Sequence, residues 1–337
     1  MMDKSSSTQR YHTRIAGTGS YLPEKLLTNK DLEKLVDTDD QWIRERTGIS
    51  SRHMASDEEA TSDLALRASQ IALREAGLDA KDLDMILVAT VSPDMVMPNT
   101  ACLLQQKLGA PDCMALDISA ACTGFVYGIS IADQFIQTGH SKNILLVGAE
   151  VLHRFVDYTD RNTCILFGDG AGACVLQRTQ EGQDSTVYST HLHADGGISH
   201  LFTLPGGGTA LPFSQKVLDE RLHYVRMNGR EIFKHAVRTM SKACDEALTA
   251  NNMSPEEVNW IIPHQANVRI MEAVAKHFGV SMDKVLNEIE DMANISAATV
   301  IVAMDRAIRD GRIQRGHNLL LTAFGAGITS GSALLKY

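Results

Sequence analysis

An internal repeat places the strongest constraint on how this chain can fold. Three pairs of segments match at nearly the same spacing: residues 72–87 with 247–262, Ile-Ser-Ala-Ala at 118–121 with the same tetrapeptide at 295–298, and 143–147 with 318–322. One match could be chance, but three in the same order predict two related halves, each made of alternating strands and helices. We therefore expect an α/β fold with two pseudo-repeated halves.

The boundary between the halves is expected in a polar stretch near the middle of the chain, Arg178–Ser185. It gives an N-terminal half of residues 1–183 and a C-terminal half of residues 184–337. In the register of the repeated tetrapeptide, Cys122 aligns with Thr299. Only the first half therefore carries a cysteine at this turn.

Cys122 is the candidate nucleophile of the chain. The apolar residues 113–118 predict a short buried strand before it, and the apolar pattern beyond Gly124 predicts a buried helix after it. A cysteine at such a turn faces the positive end of the helix dipole, where the pKa of a thiol can fall from ~8.5 to roughly 3.5–7.5. The alternative is a buried structural cysteine. The turn and its small neighbours favour the nucleophile.

Two polar residues of the second half belong to the same region. His264 follows the second copy of a strand predicted at 85–90, and Asn294 precedes the second copy of the cysteine turn. Open α/β sheets gather their sites at the carboxyl ends of strands, so Cys122, His264 and Asn294 should meet at the seam between the halves. Considered alone, His264 would be a core histidine and Asn294 a turn former.

The composition indicates a soluble enzyme. With 337 residues and 44% hydrophobic content, the chain can bury one large core or two joined ones. No apolar stretch is long enough to span a membrane, and the first ten residues lack a signal core and should form a short disordered lead. The net charge of −9 argues against nucleic acid as a partner. Six cysteines without a Cys-x-x-Cys pair argue against a zinc site and suit a reducing cytoplasm.

Apolar periodicity and capping signals predict further elements. Strands are expected at 14–20, 85–90, 143–149, 174–176, 318–323 and 332–336, and helices at 31–36, 40–46, 61–76 and from about 265. The glycine-rich segment 167–173 lacks the lysine of a phosphate-binding loop, so tight backbone packing is favoured over ligand binding.

A set of motifs makes the chain resemble the β-ketoacyl-acyl-carrier-protein synthase III family of the thiolase superfamily. They are Gly-Thr-Gly-Ser-Tyr-Leu-Pro (17–23), Asp-Gln-Trp-Ile-Arg-Glu-Arg-Thr-Gly-Ile (40–49), the Cys122 turn, Thr-Asp-Arg-Asn-Thr (159–163), Phe-Gly-Asp-Gly-Ala-Gly (167–172), Pro-His-Gln-Ala-Asn (263–267), Asn294 and Ala-Phe-Gly-Ala-Gly (323–327). The resemblance covers about residues 15–337. It implies a five-layered αβαβα thiolase-like fold and a homodimer.

The resemblance also implies a reaction, the decarboxylating condensation of an acyl-CoA starter with malonyl-acyl carrier protein. The product would be a β-ketoacyl-acyl carrier protein that initiates fatty acid biosynthesis. Cys122 would carry the acyl group as a thioester, and the backbone N–H groups of Cys122 and Ala326 would form the oxyanion hole. His264 and Asn294 would donate hydrogen bonds to the enolate of the decarboxylated malonyl group. Coenzyme A enters as a substrate, and no other cofactor and no metal is expected.

Substrate contacts follow from the same resemblance. Trp42 and Arg161 would sandwich the adenine of coenzyme A, with Arg46 and Thr38 as neighbours of the nucleotide. Met97 would reach across the dimer and help bound the acyl pocket, although a methionine is more often plain core.

Docking of the acidic carrier protein would need a local basic patch, because the chain as a whole is acidic. The candidates are Arg269, Lys276 and Lys234, the last paired at helical spacing with Arg238. Ordinary solvated charges remain the alternative for each of them.

Three positions depart from the family pattern. Ala293 and Ile295 flank Asn294 where the family has glycine and threonine, and Arg230 replaces a smaller polar residue near the coenzyme A tunnel. These departures leave two other hypotheses open. One is a related condensing enzyme or acyltransferase of secondary metabolism that acts on a small-molecule acceptor. The other is a silent subunit that supports an active partner, against which the intact Cys122, His264 and Asn294 argue.

Overall fold

A computed structural model describes residues 11–180 and 183–337, so the lead expected at residues 1–10 lies outside the described part. The strands are β1 (Thr13–Tyr21), β2 (Lys25–Thr28), β3 (Ser51–Met54), β4 (Met85–Ala89), β5 (Met114–Ile118), β6 (Asn143–Val151), β7 (Asp169–Arg178), β8 (Thr186–Ala194), β9 (Phe202–Thr203), β10 (Arg226–Met227), β11 (Trp260–Pro263), β12 (Asn318–Gly325) and β13 (Thr329–Lys336). The helices are α1 (Asn29–Leu32), α2 (Asp40–Thr47), α3 (Thr61–Ala76), α4 (Thr100–Leu108), α5 (Gly124–Gln137), α6 (Gln215–Asp219), α7 (Gly229–Ala250), α8 (Val268–Phe278), α9 (Ile289–Met292) and α10 (Thr299–Arg309).

The two large sheets share one strand order. The first runs β1-β7-β6-β4-β5, with β4 parallel to β5 and β6 and antiparallel pairing of β7 with β1 and β6. The second runs β8-β13-β12-β11, with β11 parallel to β12 and β13 antiparallel to both neighbours. The fifth strand of the second sheet is reduced to a parallel bridge between Ile261 and Val285. The α/β fold with two repeated halves is therefore confirmed.

The helices complete five layers. Helices α5 and α10 lie between the sheets, since α5 contacts β6 and β13 while α10 contacts β1 and β11. Helices α3 and α4 cover the outer face of the first sheet, and α7 packs on the outer face of the second beside α8. Three buried apolar clusters fill the space, one between the sheets and one under each outer layer. The αβαβα architecture is confirmed, whereas the boundary between residues 183 and 184 stays a prediction.

Close backbone approach brings the central helices against the first sheet. A Cβ atom added to Gly148 would lie 2.6 Å from the carbonyl oxygen of Ala297, and one on Gly172 would lie 2.5 Å from Ile301. The glycine-rich segment thus serves packing, as predicted. The prediction of a strand only at 174–176 was wrong, because β7 already begins at Asp169 and includes most of the glycine-rich segment.

A search of the described residues for helices of membrane-spanning length and hydropathy finds none.

Candidate active site

Cys122 lies in a single helical turn, Ala121–Thr123, between the end of β5 and the start of α5. The turn is tight, since Ala121 has a φ of 47°. Gly325 at the end of β12 approaches so closely that an added Cβ would lie 2.7 Å from the Cys122 nitrogen. A residue larger than glycine at position 325 would push the Cys122 turn away from the helical turn that begins at Ala326. The Cys122 side chain is only 4% exposed.

The resting state of the Cys122 thiol differs from the sequence-based expectation. Burial raises the pKa of Cys122 to about 12, the nearby Ser296 hydroxyl lowers it, and the charge of Glu150 raises it further. The expectation of a lowered pKa considered the helix dipole and not the loss of water around the sulfur. At neutral pH Cys122 is therefore a thiol, and its proton must leave before sulfur can attack a thioester.

The raised pKa of Cys122 makes a prediction for alkylation of the cysteines. Cys102 on α4 is exposed, so it should react with iodoacetamide first, and Cys122 should lag behind it at pH 7. Because only the thiolate reacts, the Cys122 rate should rise about tenfold per pH unit up to pH 9. Peptide mapping after timed labelling measures both rates, and Cys102→Ser should remove the fast phase alone. A Cys122 rate that levels off near pH 7 would contradict the raised pKa.

His264 follows the last residue of β11, and its backbone N–H donates to the Thr322 carbonyl of β12 at 2.8 Å. The imidazole is buried, which lowers its pKa to about 3 and keeps the ring neutral. Its Nδ1 lies 2.6 Å from the Thr299 hydroxyl. Thr299 is the residue that aligns with Cys122 in the repeat, so the second copy of the turn holds the histidine that serves the first.

The Thr299 hydroxyl decides which ring nitrogen of His264 carries the proton. It has one hydrogen and two acceptors within reach, Nδ1 of His264 and the Ser296 carbonyl at 3.0 Å. When the hydroxyl donates to Nδ1, the neutral ring carries its N–H at Nε2, on the other side of the ring. That tautomer gives His264 the donor that an enolate oxygen needs.

Asn294 is held on three sides. Its N–H donates to the Leu166 carbonyl at 3.0 Å, and its own carbonyl accepts from Gly168 at 3.1 Å. The Ser296 N–H donates to Oδ1 of Asn294 at 2.9 Å. Since Oδ1 is already engaged, the amide NH₂ group is left to donate into the adjoining cavity.

The two departures beside Asn294 are not among the residues that line the adjoining cavity. Ala293 adopts a φ of 58°, a conformation that glycine reaches at less cost. Ile295 is fully buried in the apolar cluster between the sheets, where its Cδ1 lies near Gly170. Its bulk therefore fills core space rather than the cavity, and the sequence could not show which way the side chain turns.

Cys122, His264 and Asn294 together line one large cavity of about 930 Å³. The sequence-predicted trio therefore shares a single space, although its members are 30 to 172 residues apart. The cavity also reaches the cationic side chains of Arg46, Arg230, Lys234 and Arg269. Such a space can bring a long anionic substrate from the surface to the thiol.

The residues expected to hold the nucleotide of coenzyme A are partly assembled. Trp42 and Arg46 line the cavity, and Arg161 stacks over the Trp42 ring at 4.5 Å from its centroid. An adenine fits between Trp42 and Arg161 only after the guanidinium moves away. Thr38 does not line the cavity, although its hydroxyl is buried without a hydrogen-bond partner among the described residues.

A second cavity of about 200 Å³ adjoins Cys122. It is lined almost wholly by apolar side chains: Val91, Leu152, Phe155, Val156, Phe167, Phe202, Leu204 and Val225. Ala326 and Ser296 border it as well. The sequence analysis did not identify most of these residues, because they come from separate segments of the chain without a shared motif.

Met97, the predicted acyl-pocket residue, lines neither cavity of its own chain. Its side chain is 80% exposed, beside Val96 at 90%. A role in the acyl pocket therefore depends on a second copy of the chain and stays a prediction.

The predicted docking residues divide into two groups. Arg269 on α8 and Lys234 on α7 line the large cavity, and Lys234 pairs with Glu231 at 2.9 Å. Lys276, near the end of α8, is exposed but lies away from the cavity lining. Arg230 was not among the predicted docking residues, yet it lines the same cavity. Arg46, Arg230, Lys234 and Arg269 are together called the cationic rim.

No group of three His, Cys, Asp or Glu side chains within residues 11–180 and 183–337 is arranged to hold a metal ion.

A thiol on a helical turn shares one cavity with a histidine and an asparagine between two repeated α/β halves, which is the site expected of an acyl-transferring condensing enzyme of the thiolase fold. Models of the 3-oxoacyl-[acyl-carrier-protein] synthase III family match residues 116–196 and, for its C-terminal part, residues 248–337. A β-ketoacyl-[acyl-carrier-protein] synthase III of Xylella fastidiosa is 50% identical over 98% of this chain and 100% of its own length.

Solved structures are also similar to this chain. The 3-oxoacyl-[acyl-carrier-protein] synthase III of Aquifex aeolicus is 46% identical, with a TM-score of 0.89 over 96% of this chain and 100% of that one. A priming β-ketosynthase from the R1128 polyketide pathway is 32% identical, with a TM-score of 0.89 over 97% of both chains. The chain belongs to the β-ketoacyl-acyl-carrier-protein synthase III family, and it is an acyltransferase.

Proposed function

We propose that this chain condenses a Cys122-bound acyl group, taken from acyl-CoA, with malonyl-acyl carrier protein to start a fatty acid. The observation that supports these residue roles is the single cavity that joins Cys122, His264 and Asn294 to a cationic rim. The reaction runs in two stages, acyl transfer to sulfur and then decarboxylating condensation.

In the first stage the Cys122 sulfur attacks the thioester carbonyl of acyl-CoA and expels coenzyme A. The developing oxyanion would accept hydrogen bonds from the backbone N–H groups of Cys122 and Ala326, both of which border the smaller cavity. The acyl chain would then occupy that apolar cavity, which leaves the large cavity open for the second substrate.

In the second stage the malonyl group loses carbon dioxide, and the electrons of the broken bond form an enolate. Nε2–H of His264, in the tautomer whose Nδ1 accepts from the Thr299 hydroxyl, and the amide NH₂ of Asn294 would donate to the enolate oxygen. The carbanion attacks the acyl carbonyl, the Cys122 thiolate leaves, and the β-ketoacyl product remains on the carrier protein. No cofactor beyond the coenzyme A thioester is needed for these steps.

The direct test is intact-protein mass spectrometry with a panel of acyl-CoA starters, followed by malonyl-carrier protein. An acyl adduct that maps to Cys122 and disappears when malonyl-carrier protein is added supports the proposal. A second acceptor belongs in the same experiment, because the alternative is a condensing enzyme or acyltransferase of secondary metabolism that acts on a small molecule. Discharge of the adduct by malonyl-CoA or a small nucleophile as readily as by the carrier protein would favour the secondary-metabolite alternative.

A homodimer is part of the proposal. The exposed apolar side chains of Val96 and Met97 shortly precede Asn99, whose amide donates to Ala115 of β5, and β5 forms an edge of the first sheet. An open sheet edge beside exposed apolar residues is a surface that a second copy of the chain can cover.

A cytoplasmic location is also part of the proposal. All six cysteines are free thiols, which suits a reducing compartment.

Reversing one charge of the cationic rim should test whether the rim binds the carrier protein. Arg269→Glu is expected to raise the KM for malonyl-carrier protein about tenfold, the equivalent of ~1.4 kcal/mol, and to leave acylation by acyl-CoA nearly unchanged. Steady-state kinetics at two salt concentrations measure this, since exposed charges are screened beyond ~8 Å at physiological ionic strength. Arg74→Glu on the outer helix α3 makes the same change in net charge and should leave this KM as it is. Equal loss of both half-reactions in Arg269→Glu would show a structural role instead.

A further inference from the structure

One wall of the smaller cavity is formed by two segments of the chain that pair with each other, residues 202–206 and 221–227. Within them β9 pairs antiparallel with β10, and the Gly206 N–H donates to the Leu222 carbonyl at 2.7 Å. We call these two segments the outer wall. They supply four residues to the cavity lining: Phe202, Thr203, Leu204 and Val225. Leu204 lines the cavity and is also 40% exposed, so the wall is thin at this point.

The outer wall is attached to residues 152–157, a segment that contributes Leu152, Phe155 and Val156 to the same cavity. Among the residues that the structure describes, two polar contacts make this attachment. One is a backbone hydrogen bond from the Val225 N–H to the Phe155 carbonyl at 2.9 Å. The other is an ion pair between Arg221 and Asp157. The position of the outer wall therefore depends on one hydrogen bond, one ion pair and apolar packing.

The ion pair engages both carboxylate oxygens of Asp157. Nε of Arg221 donates to Oδ2 at 2.7 Å, and Nη2 donates to Oδ1. The N–H and the hydroxyl of Thr159 donate to the same Oδ1 at 2.9 and 2.6 Å, which fixes the carboxylate in place. The Arg221 guanidinium holds the pKa of the Asp157 carboxyl well below its usual range, so both partners are charged at neutral pH. A two-pronged pair of this kind is stronger and more directional than a single contact.

Arg221 is also held in an unusual backbone conformation. Its φ is 54°, in the left-handed region that residues other than glycine enter at a cost in energy. Its N–H donates to the Leu218 carbonyl at 3.0 Å, and its guanidinium lies over the Tyr224 ring, 5.0 Å from the centroid. Such a conformation persists only where the surroundings fix it. The ion pair with Asp157 is one of the contacts that fix it.

We propose that the Asp157–Arg221 ion pair limits the length of the starter acyl group. Neither side chain lines the cavity, so both are positioning residues that act through the outer wall. While the pair is intact, an acyl chain longer than the cavity must break it to move the wall outward. Once the pair is lost, one hydrogen bond of Val225 and apolar packing remain to resist this movement. Longer starters should then be accepted.

The ratio of two acylation rates tests this proposal. Asp157→Asn and Arg221→Asn each remove one charged partner, and asparagine enters the left-handed conformation of position 221 more readily than most residues. Each variant should raise the rate of acylation by dodecanoyl-CoA, relative to the rate with butyryl-CoA, by about tenfold. This is the order expected for the loss of a charged hydrogen bond. Rapid-quench mass spectrometry of the acyl-enzyme measures both rates.

The ratio distinguishes a role in specificity from a role in folding. A variant that merely loosens the fold should slow both starters alike, and an unchanged ratio would overturn the proposal. The double variant should match the single ones, because all three break the same pair, whereas additive effects would contradict it. Arg221→Lys keeps the charge without the fork and should give an intermediate ratio.

Asp310→Asn is the matched control. Asp310 accepts from Nε of Arg312 at 3.0 and 2.9 Å, in an ion pair of similar geometry, and neither residue lines a cavity. This variant should leave the ratio as it is. A rise equal to that of Asp157→Asn would show that the ratio responds to any lost ion pair, which would overturn the proposal.

The limit on starter length rests on the proposed function, and the two can fail separately. If the wild-type protein forms no acyl-enzyme with any acyl-CoA, the proposed function fails. If the wild type is acylated and the ratio stays the same in Asp157→Asn and Arg221→Asn, the role of the ion pair alone is overturned.

Discussion

Cys122→Ala should abolish acyl transfer and condensation while sparing the decarboxylation of malonyl-carrier protein. The loss should be on the order of 10⁶-fold, as for removal of the serine nucleophile from a serine protease. Decarboxylation should persist because the enolate donors, His264 and Asn294, are held by Thr299, Ser296 and main-chain groups rather than by the cysteine. The structure therefore predicts that the two stages separate in this variant.

Release of carbon dioxide and formation of the β-ketoacyl product should be followed in the same reaction mixture. Cys174→Ala makes the equivalent change at a buried thiol of β7, and it should keep both activities if the protein remains folded. Loss of decarboxylation together with condensation in Cys122→Ala would mean that the thiol also supports the enolate site, which the described contacts do not show.

Much of the fold was predictable because both halves use one pattern. Helix α3 occupies Thr61–Ala76, the bounds expected from its apolar periodicity and capping residues. Strands β4 and β12 lie where their apolar runs predicted them. The missing fifth strand of the second sheet was not predictable, because pairing between Ile261 and Val285 depends on the local path of the backbone rather than on composition.

The three candidate catalytic residues could be identified from the sequence, whereas the ionisation state of the Cys122 thiol could not. Cys122, His264 and Asn294 sit at strand ends and repeat turns, features that a linear pattern records. The raised pKa of Cys122 depends on how much water the fold removes, and the helix-dipole argument contained no such quantity.

The smaller cavity marks a further limit of sequence reasoning. Phe155, Phe202 and Val225 lie far apart in the chain and meet only around the smaller cavity beside Cys122. Periodicity identifies residues on one face of a helix or strand, and it gives no information about which distant segments converge. Met97 was found by resemblance alone, and its predicted role requires a second chain.

Asn294→Ala and His264→Ala should impair the second stage far more than the first. Each removes one donor aimed at the enolate oxygen, and the loss of one preorganised donor commonly lowers the rate ~10²–10³-fold. Acylation of Cys122 should survive better, because the predicted oxyanion hole consists of backbone N–H groups that neither substitution removes. Single-turnover acylation and steady-state condensation should be measured separately for each variant.

Asn318→Ala, at the start of β12, removes an amide of the same kind away from the site and serves as the matched control. The comparison of the two site variants carries the mechanistic information. His264 is neutral and offers an Nε2–H donor when the Thr299 hydroxyl donates to Nδ1 instead of to the Ser296 carbonyl, so Thr299→Val should reproduce part of the His264→Ala defect while Thr299→Ser should not. Normal condensation by Asn294→Ala would show that the strained Ala293 has turned the amide away from the enolate, and His264 would then be the main side-chain donor.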